Sequence, residues 1–412
     1  MKLEFKGACR EVGRSAVLVD DRIMMDYGIK PGEATQYPVN GARPEAVLVS
    51  HAHLDHSGAV PNLMDIAPDI YMTPPTFDLS SMLARDTLRI AERSGEIAAY
   101  DSTDLSRFVE NTHRIEPGLE FHTHGYKAQF YDAGHIPGAA AIHLEDKNQK
   151  SVFYTGDINT IDTRLVSGAT DFPDADALII ESTYFGEDHP PRKEIEKAFM
   201  DSLMDTIDLG GNVIVPAFAI GRTQEILMLL DAHGITAYVD GLGVTAYKIM
   251  IKHPEALRNP THLRRAFTNA IAVDGSKRDK VPLESSVIVT TAGMLNGGPV
   301  LHYLKKLHKD PKSKILITGY QVEGTNGRMA LDNGIIDNGG VIQQLGIKVE
   351  QYDFSAHCGD RELKEIVKDF CDRGTEQVFT VHGEDTEAFA EWVSNETGVD
   401  AHAPELGDSF LI

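Results

Sequence analysis

Residues 50 to 61 read SHAHLDHSGAVP and crowd His51, His53, Asp55 and His56 into six positions, directly after the apolar run Ala46-Val47-Leu48-Val49. Further on, His135 stands in DAGHIPGA, Asp157 in YTGDIN and His382 in FTVHGE, each again just past a β-rich apolar run. A single imidazole at a strand end is ordinarily a hydrogen-bonded structural group. Four polar groups crowded where a buried strand stops are costly to desolvate, and a metal ion satisfies them together. The full set comprises five imidazoles and two carboxylates. Imidazole suits zinc, and Asp can bridge two cations where His cannot. Seven ligands with one shared Asp make two four-coordinate sets, each leaving a position for a shared water. Two ions roughly 3.5–4 Å apart clamp the attacking and leaving oxygens of a phosphoryl displacement.

Residues spread from position 51 to position 382 meet only if sheets gather them. The first part of the chain reads as short strands ending in polar turns: SAVLVDDRIMMDYG, EAVLVSHAH, YKAQFYDAGH, SVFYTGD and ADALIIEST. On an extended chain His51 and His53, two apart, face one side, while Asp55 and His56 fall in the turn before a helix. A helix is expected from about Thr76 through TFDLSSMLARDTLRIAER. At GEDHPPRKEIEKAFMDSLMDTI the composition breaks, and Pro190-Pro191 opens a long amphipathic helix. GNVIVPAF, RTQEILMLLDAHG, ITAYVD, SSVIVTTAG and SKILITGYQ then alternate strand with helix, the pattern of an α/β domain with a largely parallel sheet. RELKEIVKDFCDRG and EQVFTVHGE add one more helix and strand.

A chain of 412 residues, 42% of them hydrophobic, buries a sizeable core and is long enough for two domains. Its start, MKLEFKGACR, has no apolar leader core, and no window approaches the roughly 18 uninterrupted apolar residues of a membrane span. Cys9, Cys358 and Cys371 are too few and too scattered for a disulfide framework or a cysteine zinc site. A reducing cytoplasmic setting without membrane contact fits these features. The net charge of −23 argues against generic nucleic-acid binding, which needs Lys and Arg on phosphates. From Gly186 to Ala356, however, 19 basic side chains nearly balance 20 acidic ones. Basic clusters there lie in RNPTHLRRAF, GSKRDK and LKKLHKDPKSK. Any one of them is as readily a solvated helix face. Their concentration in one segment of an acidic chain makes Arg264, Arg265, Lys277 and Arg278 candidates for holding substrate phosphates. TTAGMLNGGPV follows a strand, so backbone N–H groups around Gly293 and Gly297 can cradle a phosphate, although a Gly-rich turn is more often only a tight turn.

Together, SHAHLDHSGAVP, DAGHIPGA and YTGD resemble the metallo-β-lactamase fold, and ESTY, FSAHCGD and VHGE resemble the further motifs of its β-CASP nuclease branch. GACREVGRSAVLV, VPAFAIGRTQEIL, TTAGMLNGGP and LITGYQVEGTNGR are similar to the archaeal cleavage-and-polyadenylation-factor type without KH domains, more than to bacterial RNase J. The resemblance implies an α/β architecture: a metallo-β-lactamase αββα sandwich over residues 1–185 and 357–412, with a β-CASP domain of mainly parallel sheet inserted over 186–356. It implies two Zn2+ per chain, one on His51, His53, His135 and Asp157, the other on Asp55, His56, Asp157 and His382. Asp26 in MMDYG would orient the metal-binding turn. His357 would protonate the departing 3′ oxygen, with Glu181 holding that imidazole charged. The implied activity is hydrolysis of single-stranded RNA to 5′-phosphate and 3′-hydroxyl products, from the 5′ end, internally, or both. His382 matches a motif position that carries His in RNA-directed members and typically Val in DNA-directed ones.

Three other readings stay open. HAHLDH alone fits a thioesterase of the glyoxalase II kind, but such hydrolases lack Glu181, His357 and the inserted domain. A DNA-directed nuclease would share the metals. A non-catalytic RNA-processing scaffold of the sort that has lost ligands is opposed by the complete set of seven and by the acid. Apart from the resemblance, Glu181 reads as a surface or capping carboxylate, and His357 beside Cys358 as a structural pair. The C-terminal HAPELGDSFLI is either a dimerisation segment, giving a homodimer, or a disordered tail.

Overall fold

Side chains that alternate between two buried faces set the architecture. In the strands Lys2–Gly7, Ala16–Val19 and Ile23–Met25, one face carries Leu3, Phe5, Val17, Val19, Ile23 and Met25, and the other carries Leu18 and Met24. A sheet that is apolar on both faces needs cover on both. The structure, a computed structural model, describes residues 1–32, 34–95 and 97–412. It parts into two compact units, residues 1–162, 167–188 and 356–412 in one, and residues 163–166 and 189–355 in the other.

The first unit contains two seven-stranded sheets. One runs Ser409–Leu411, Lys2–Gly7, Ala16–Val19, Ile23–Met25, Ala46–Leu48, Asp69–Met72, Thr112–Arg114. It is antiparallel through its first four strands and parallel from Ile23–Met25 onward. The other runs Asp400–His402, Gln377–Val381, Ala177–Glu181, Ser151–Tyr154, Ala140–Glu145, Tyr126–Asp132, Glu120–Thr123. Its first four strands are parallel and the rest antiparallel.

Between the sheets, Leu3, Phe5, Val17 and Leu48 join Phe130, Ile142, Val152, Ile179 and Phe379 in one core. Outside the first sheet, Phe77 of the helix Pro74–Ser94 and Phe108 of the helix Ser102–Glu110 share a core with Leu18, Met24, Val47 and Ile70. Outside the second, the helix Asp360–Asp372 buries Leu363, Ile366, Val367 and Phe370, an i, i+3, i+4, i+7 stripe, with Phe153, Leu178 and Val378. Phe389 of the helix Thr386–Thr397 belongs to the same cluster. The result is the expected helix–sheet–sheet–helix sandwich.

The second unit is built on a six-stranded, wholly parallel sheet in the order Ile271–Ala272, Tyr238–Asp240, Val287–Thr290, Val213–Pro216, Lys314–Ile317, Lys348–Gln351. A hairpin, Ile335–Asp337 with Ile342–Gln344, stands beside it as a separate antiparallel pair.

The C-terminal segment is neither a tail nor a free arm. Asp400–His402 pairs with Gln377–Val381, and Ser409–Leu411 pairs with Lys2–Gly7, so each extends one sheet of the sandwich. Its burial explains the order: the Phe410 ring sits 5.1 Å from Phe379 and 5.9 Å from Phe5, themselves 5.1 Å apart. Phe379→Ala opens a cavity where both sheets meet and should cost about 3–5 kcal/mol, read as a lower urea midpoint.

Candidate metal centre

Three adjacent parallel strands, Ser151–Tyr154, Ala177–Glu181 and Gln377–Val381, end at one edge of their sheet and set Asp157, Glu181 and His382 along it. In the other sheet Ala46–Leu48 runs out into the loop that carries His51 and His53. The chain has left the sheet there, so these two histidines are not on a strand. Asp55 and His56 lie within a single helical turn, Leu54–Ser57, for which His53 is the capping position. That turn is held from below. Gly28 passes so close that a Cβ would stand 1.7 Å from the Asp55 carbonyl oxygen, which also accepts the Ser15 N–H at 2.8 Å. Asp26 and His382 both adopt left-handed backbone, φ 58° and 52°, a strained state for residues with a Cβ. The Asp26 N–H donates to Leu48 and the His382 N–H to Ala8, which holds both in place.

The first group gathers His51, His53, His135 and Asp157. His51 Nε2 lies 3.2 Å from His53 Nδ1, which lies 3.1 Å from His135 Nε2. Asp157 Oδ2 is 3.4 Å from His51 Nε2 and 3.5 Å from His135 Nε2. Ligands about 2.0–2.1 Å from a tetrahedral ion stand about 3.3–3.4 Å apart, which these spacings match. Three imidazole nitrogens that converge on one point cannot satisfy one another, because each neutral ring has a single N–H. The outer nitrogens of two rings are occupied: His51 Nδ1 meets Ser50 Oγ at 3.1 Å, and His135 Nδ1 donates to the Ala356 carbonyl at 2.8 Å. This fixes which nitrogen faces inward.

The second group is Asp55, His56, Asp157 and His382. His56 Nε2 lies 3.1 Å from Asp157 Oδ1, and His382 Nε2 lies 3.4 Å from Asp55 Oδ2. Asp157 Oδ1 is buried without a hydrogen-bond partner, as is His53 Nε2. An ionised oxygen left so is expensive, and a cation beside it removes the cost. The residues therefore fit metal on both sides of Asp157. Behind His56, Nδ1 donates to Asp26 Oδ2 at 2.7 Å, and Asp26 also accepts the Ser50 N–H, the Ser50 hydroxyl and the Tyr154 hydroxyl at 2.7–2.8 Å.

A third group joins Asp157, Glu181 and His357. Both Glu181 oxygens lie 2.9 Å from His357 Nδ1, and Glu181 Oε1 also accepts the Ile158 N–H at 2.8 Å. His357 Nε2 faces Asp157 Oδ2 at 3.8 Å. Burial alone would lower the His357 pKa, but the Glu181 and Asp157 carboxylates outweigh it and raise it to about 9. Burial, with the neighbouring imidazolium charge, pushes His51 and His135 down and takes His53 to about 3, so these rings are neutral, as metal ligands are. For Asp157 burial works against ionisation, yet the imidazoles around it prevail and hold the carboxyl well below its usual range.

The six residues assigned to substrate phosphates all belong to the second unit. There Arg278 is otherwise engaged: its guanidinium forks onto the buried Asp240 at 2.6 and 2.9 Å, and Tyr303 donates to the same carboxylate at 2.7 Å. Arg265 donates to Asp231 at 2.7 Å. Arg264 and Lys277 are exposed, and Gly293 and Gly297 lie in the turn after Val287–Thr290. Sequence reasoning missed Ser50, Tyr154 and the Ala356 carbonyl. Ser50 and Tyr154 open the motifs SHAHLDHSGAVP and YTGD, and only their partners in space reveal their part.

A helix–sheet–sheet–helix sandwich that gathers five histidines and two aspartates at one edge defines a metal-dependent hydrolase of the metallo-β-lactamase class. The chain belongs to the β-CASP family within that class. Family models match in succession: a Beta-lactamase superfamily domain over residues 27–209, a Beta-Casp domain over 223–329 and a Zn-dependent metallo-hydrolase RNA specificity domain over 344–404. The chain is 36% identical to the Probable RNase MJ4 of Methanocaldococcus jannaschii over the whole of both proteins. It is 36% identical to RNase aCSPSF2 of Saccharolobus solfataricus, over 100% of this chain and 85% of that one. To Transcription termination factor FttA of Methanocaldococcus jannaschii the identity is 33%, over 94% and 67%. A solved structure, a protein of unknown function from Enterococcus faecalis V583, shares the fold at TM-score 0.62 and 13% identity, covering 100% of this chain and 99% of that one.

Asp26→Asn keeps the shape of the carboxylate but not its charge behind His56. Zinc affinity should fall by about 10–100-fold, measured by competition with a chromogenic chelator, while the melting profile of the metal-free chain changes little.

Proposed function

We propose that the chain is a metal-dependent ribonuclease of RNA processing or decay that holds two zinc ions and hydrolyses single-stranded RNA to 5′-phosphate and 3′-hydroxyl products. The observation that carries this reading is the sharing of one buried carboxylate, Asp157, by two ligand sets and by the His357–Glu181 pair. His51, His53, His135 and Asp157 would hold one zinc, and Asp55, His56, Asp157 and His382 the other. Bound zinc supplies Lewis-acid charge to a phosphodiester and acidifies water. The remaining work falls to the protein. Asp26, tied to Ser50 and Tyr154, keeps His56 turned with Nε2 inward. Glu181, itself fixed by the Ile158 N–H, accepts a hydrogen bond from the Nδ1–H of His357, keeps the ring charged and leaves Nε2–H to deliver a proton to the departing 3′ oxygen.

RNA as substrate is supported by the RNA specificity model over residues 344–404 and by relatives named as RNases. Arg264 and Lys277, exposed and basic, serve as phosphate contacts in the second unit. The experiment is cleavage of a 5′-monophosphorylated RNA labelled at its 5′ end in one tube and at its 3′ end in another, with zinc. Asp55→Ala/His56→Ala should abolish cleavage with the fold intact by circular dichroism, and full activity in that variant refutes the two-zinc mechanism. Immediate release of labelled mononucleotide from the 5′ label marks a 5′-to-3′ exonuclease; discrete internal fragments from both labels mark an endonuclease.

His357→Ala should retain its zinc and lose most of its rate. The acid works only while protonated, so activity falls as pH rises through its pKa. Glu181→Gln removes the carboxylate that favours the charged ring, so the alkaline limb of the pH–rate profile should move to lower pH. Loss of zinc from either variant would make the residue a ligand instead.

A further inference from the structure

The helix Pro74–Ser94 carries Arg85, Arg89 and Arg93, spaced i, i+4, i+8 and all exposed. Residues at that spacing lie along one face. None of the three makes a hydrogen bond or salt bridge among the described residues. The half-buried Asp86 acts on Arg89 and Arg93 only through space. Nearly every other arginine is held. Salt bridges tie Arg10, Arg14, Arg22, Arg43, Arg164 and Arg192. The same holds for Arg222, Arg265, Arg278, Arg328, Arg361 and Arg373. Arg107 and Arg258 donate to carbonyls, and Arg114 lies 4.0 Å over the Phe77 ring. Apart from Arg264, the guanidinium groups left untied among the described residues of this chain of net charge −23 stand in one row. Like charges at i, i+4 repel along a helix, so the row costs stability unless an anion lies across it.

The helix starts against the loop that carries His135. The Thr73 and Thr76 hydroxyls at its first turn donate to the Gly138 carbonyl at 2.7 and 2.8 Å, three residues beyond His135. At about 1.5 Å per residue, Arg85 lies about 16 Å along the axis from Pro74 and Arg93 about 28 Å, with about 6 Å between successive arginines. That step is of the order of the distance between phosphates of an unstacked strand. Guanidinium groups take phosphate bidentately whatever the base.

We infer that this face is a track for the RNA strand extending from the metal centre, with Arg85, Arg89 and Arg93 each on a backbone phosphate. The inference rests on the ribonuclease reading for its ligand, and adds a substrate surface on the sandwich itself. It makes binding dependent on substrate length and salt and indifferent to sequence.

The test compares the wild-type chain with Arg85→Ala/Arg89→Ala/Arg93→Ala. Ala is a strong helix former, so the helix persists, as circular dichroism checks. Affinity for an RNA of about 30 nucleotides is measured by anisotropy against salt, in a His357→Ala background that keeps the strand whole. The log–log slope should become shallower by about 0.7 per arginine, about 2 in all, with affinity down about tenfold at moderate salt. Turnover of a trinucleotide, too short to reach the row, should be unchanged in the His357 chain. Arg→Lys at all three positions should restore most of the slope. Unchanged affinity and slope overturn the track, even in an active ribonuclease; so does an equal loss of trinucleotide turnover, which would place the arginines in support of the centre. Unchanged RNA binding with lost binding of poly-glutamate overturns it in favour of an acidic protein partner. An arginine-dependent slope in a chain that cleaves no RNA upholds the track and removes the ribonuclease reading.

Discussion

The structure depends on making it tolerable to bury one carboxylate. Asp157 is 2% exposed, one of its oxygens has no hydrogen-bond partner, and four of the surrounding histidines lie within about a hydrogen bond of it or of one another. Desolvation would neutralise such a group in an apolar interior. The imidazoles keep it ionised, and it in turn draws His56 and His357 toward their charged forms. A cluster this dense in donors without protons is stable only with positive charge inside it, whether protons or metal ions. Three groups share Asp157 because Oδ2 faces His51, His135 and His357 while Oδ1 faces His56 and His382.

The backbone is shaped to serve that cluster. Asp26 and His382 sit in left-handed conformations that their side chains do not favour, and each is held by a hydrogen bond from its own N–H. Gly156, at φ 54° and with Ser50 Cβ only 2.8 Å from where its own Cβ would lie, lets the Asp157 loop close over the Asp26–Ser50–His56 network. The two sheets contribute opposite halves: one supplies His51 to His56 and Asp26, the other His135, Asp157, Glu181 and His382. Their common core, centred on Phe5, Phe130 and Phe379, is therefore what keeps the ligands in register.

Charge is distributed unevenly between the units. In the second, the near balance of acids and bases hides a division of labour: Arg278 neutralises the buried Asp240 and Arg265 caps Asp231, while Arg264 and Lys277 stay in water. In the acidic first unit most arginines are consumed by carboxylates, which makes the free row on the helix Pro74–Ser94 the exception. Counting charges along the sequence locates the basic segment; it does not separate the cations that hold the protein together from those left for a polyanion.

The sequence by itself determined the chemistry of the site and the layers that carry it. HAHLDH sets three imidazoles and a carboxylate within six positions at the end of an apolar run, and an ion is the partner that satisfies them together. The covered sandwich came with the resemblance its motifs carry, and alternating strands and helices dictated a parallel sheet. Tertiary structure alone decided the rest. His53 offers Nδ1 where His51 and His135 offer Nε2, the latter two fixed by Ser50 and the Ala356 carbonyl behind their rings. The Glu181–His357 contact joins residues 176 positions apart, and their identities alone read equally well as a capping acid and a core histidine. HAPELGDSFLI, with the two residues before it, supplies two edge strands because partners for its backbone lay waiting in Lys2–Gly7 and Gln377–Val381, strands distant in sequence. Residue types and local spacing travel with the chain, whereas hydrogen-bond partners and free charges exist only once distant segments have met.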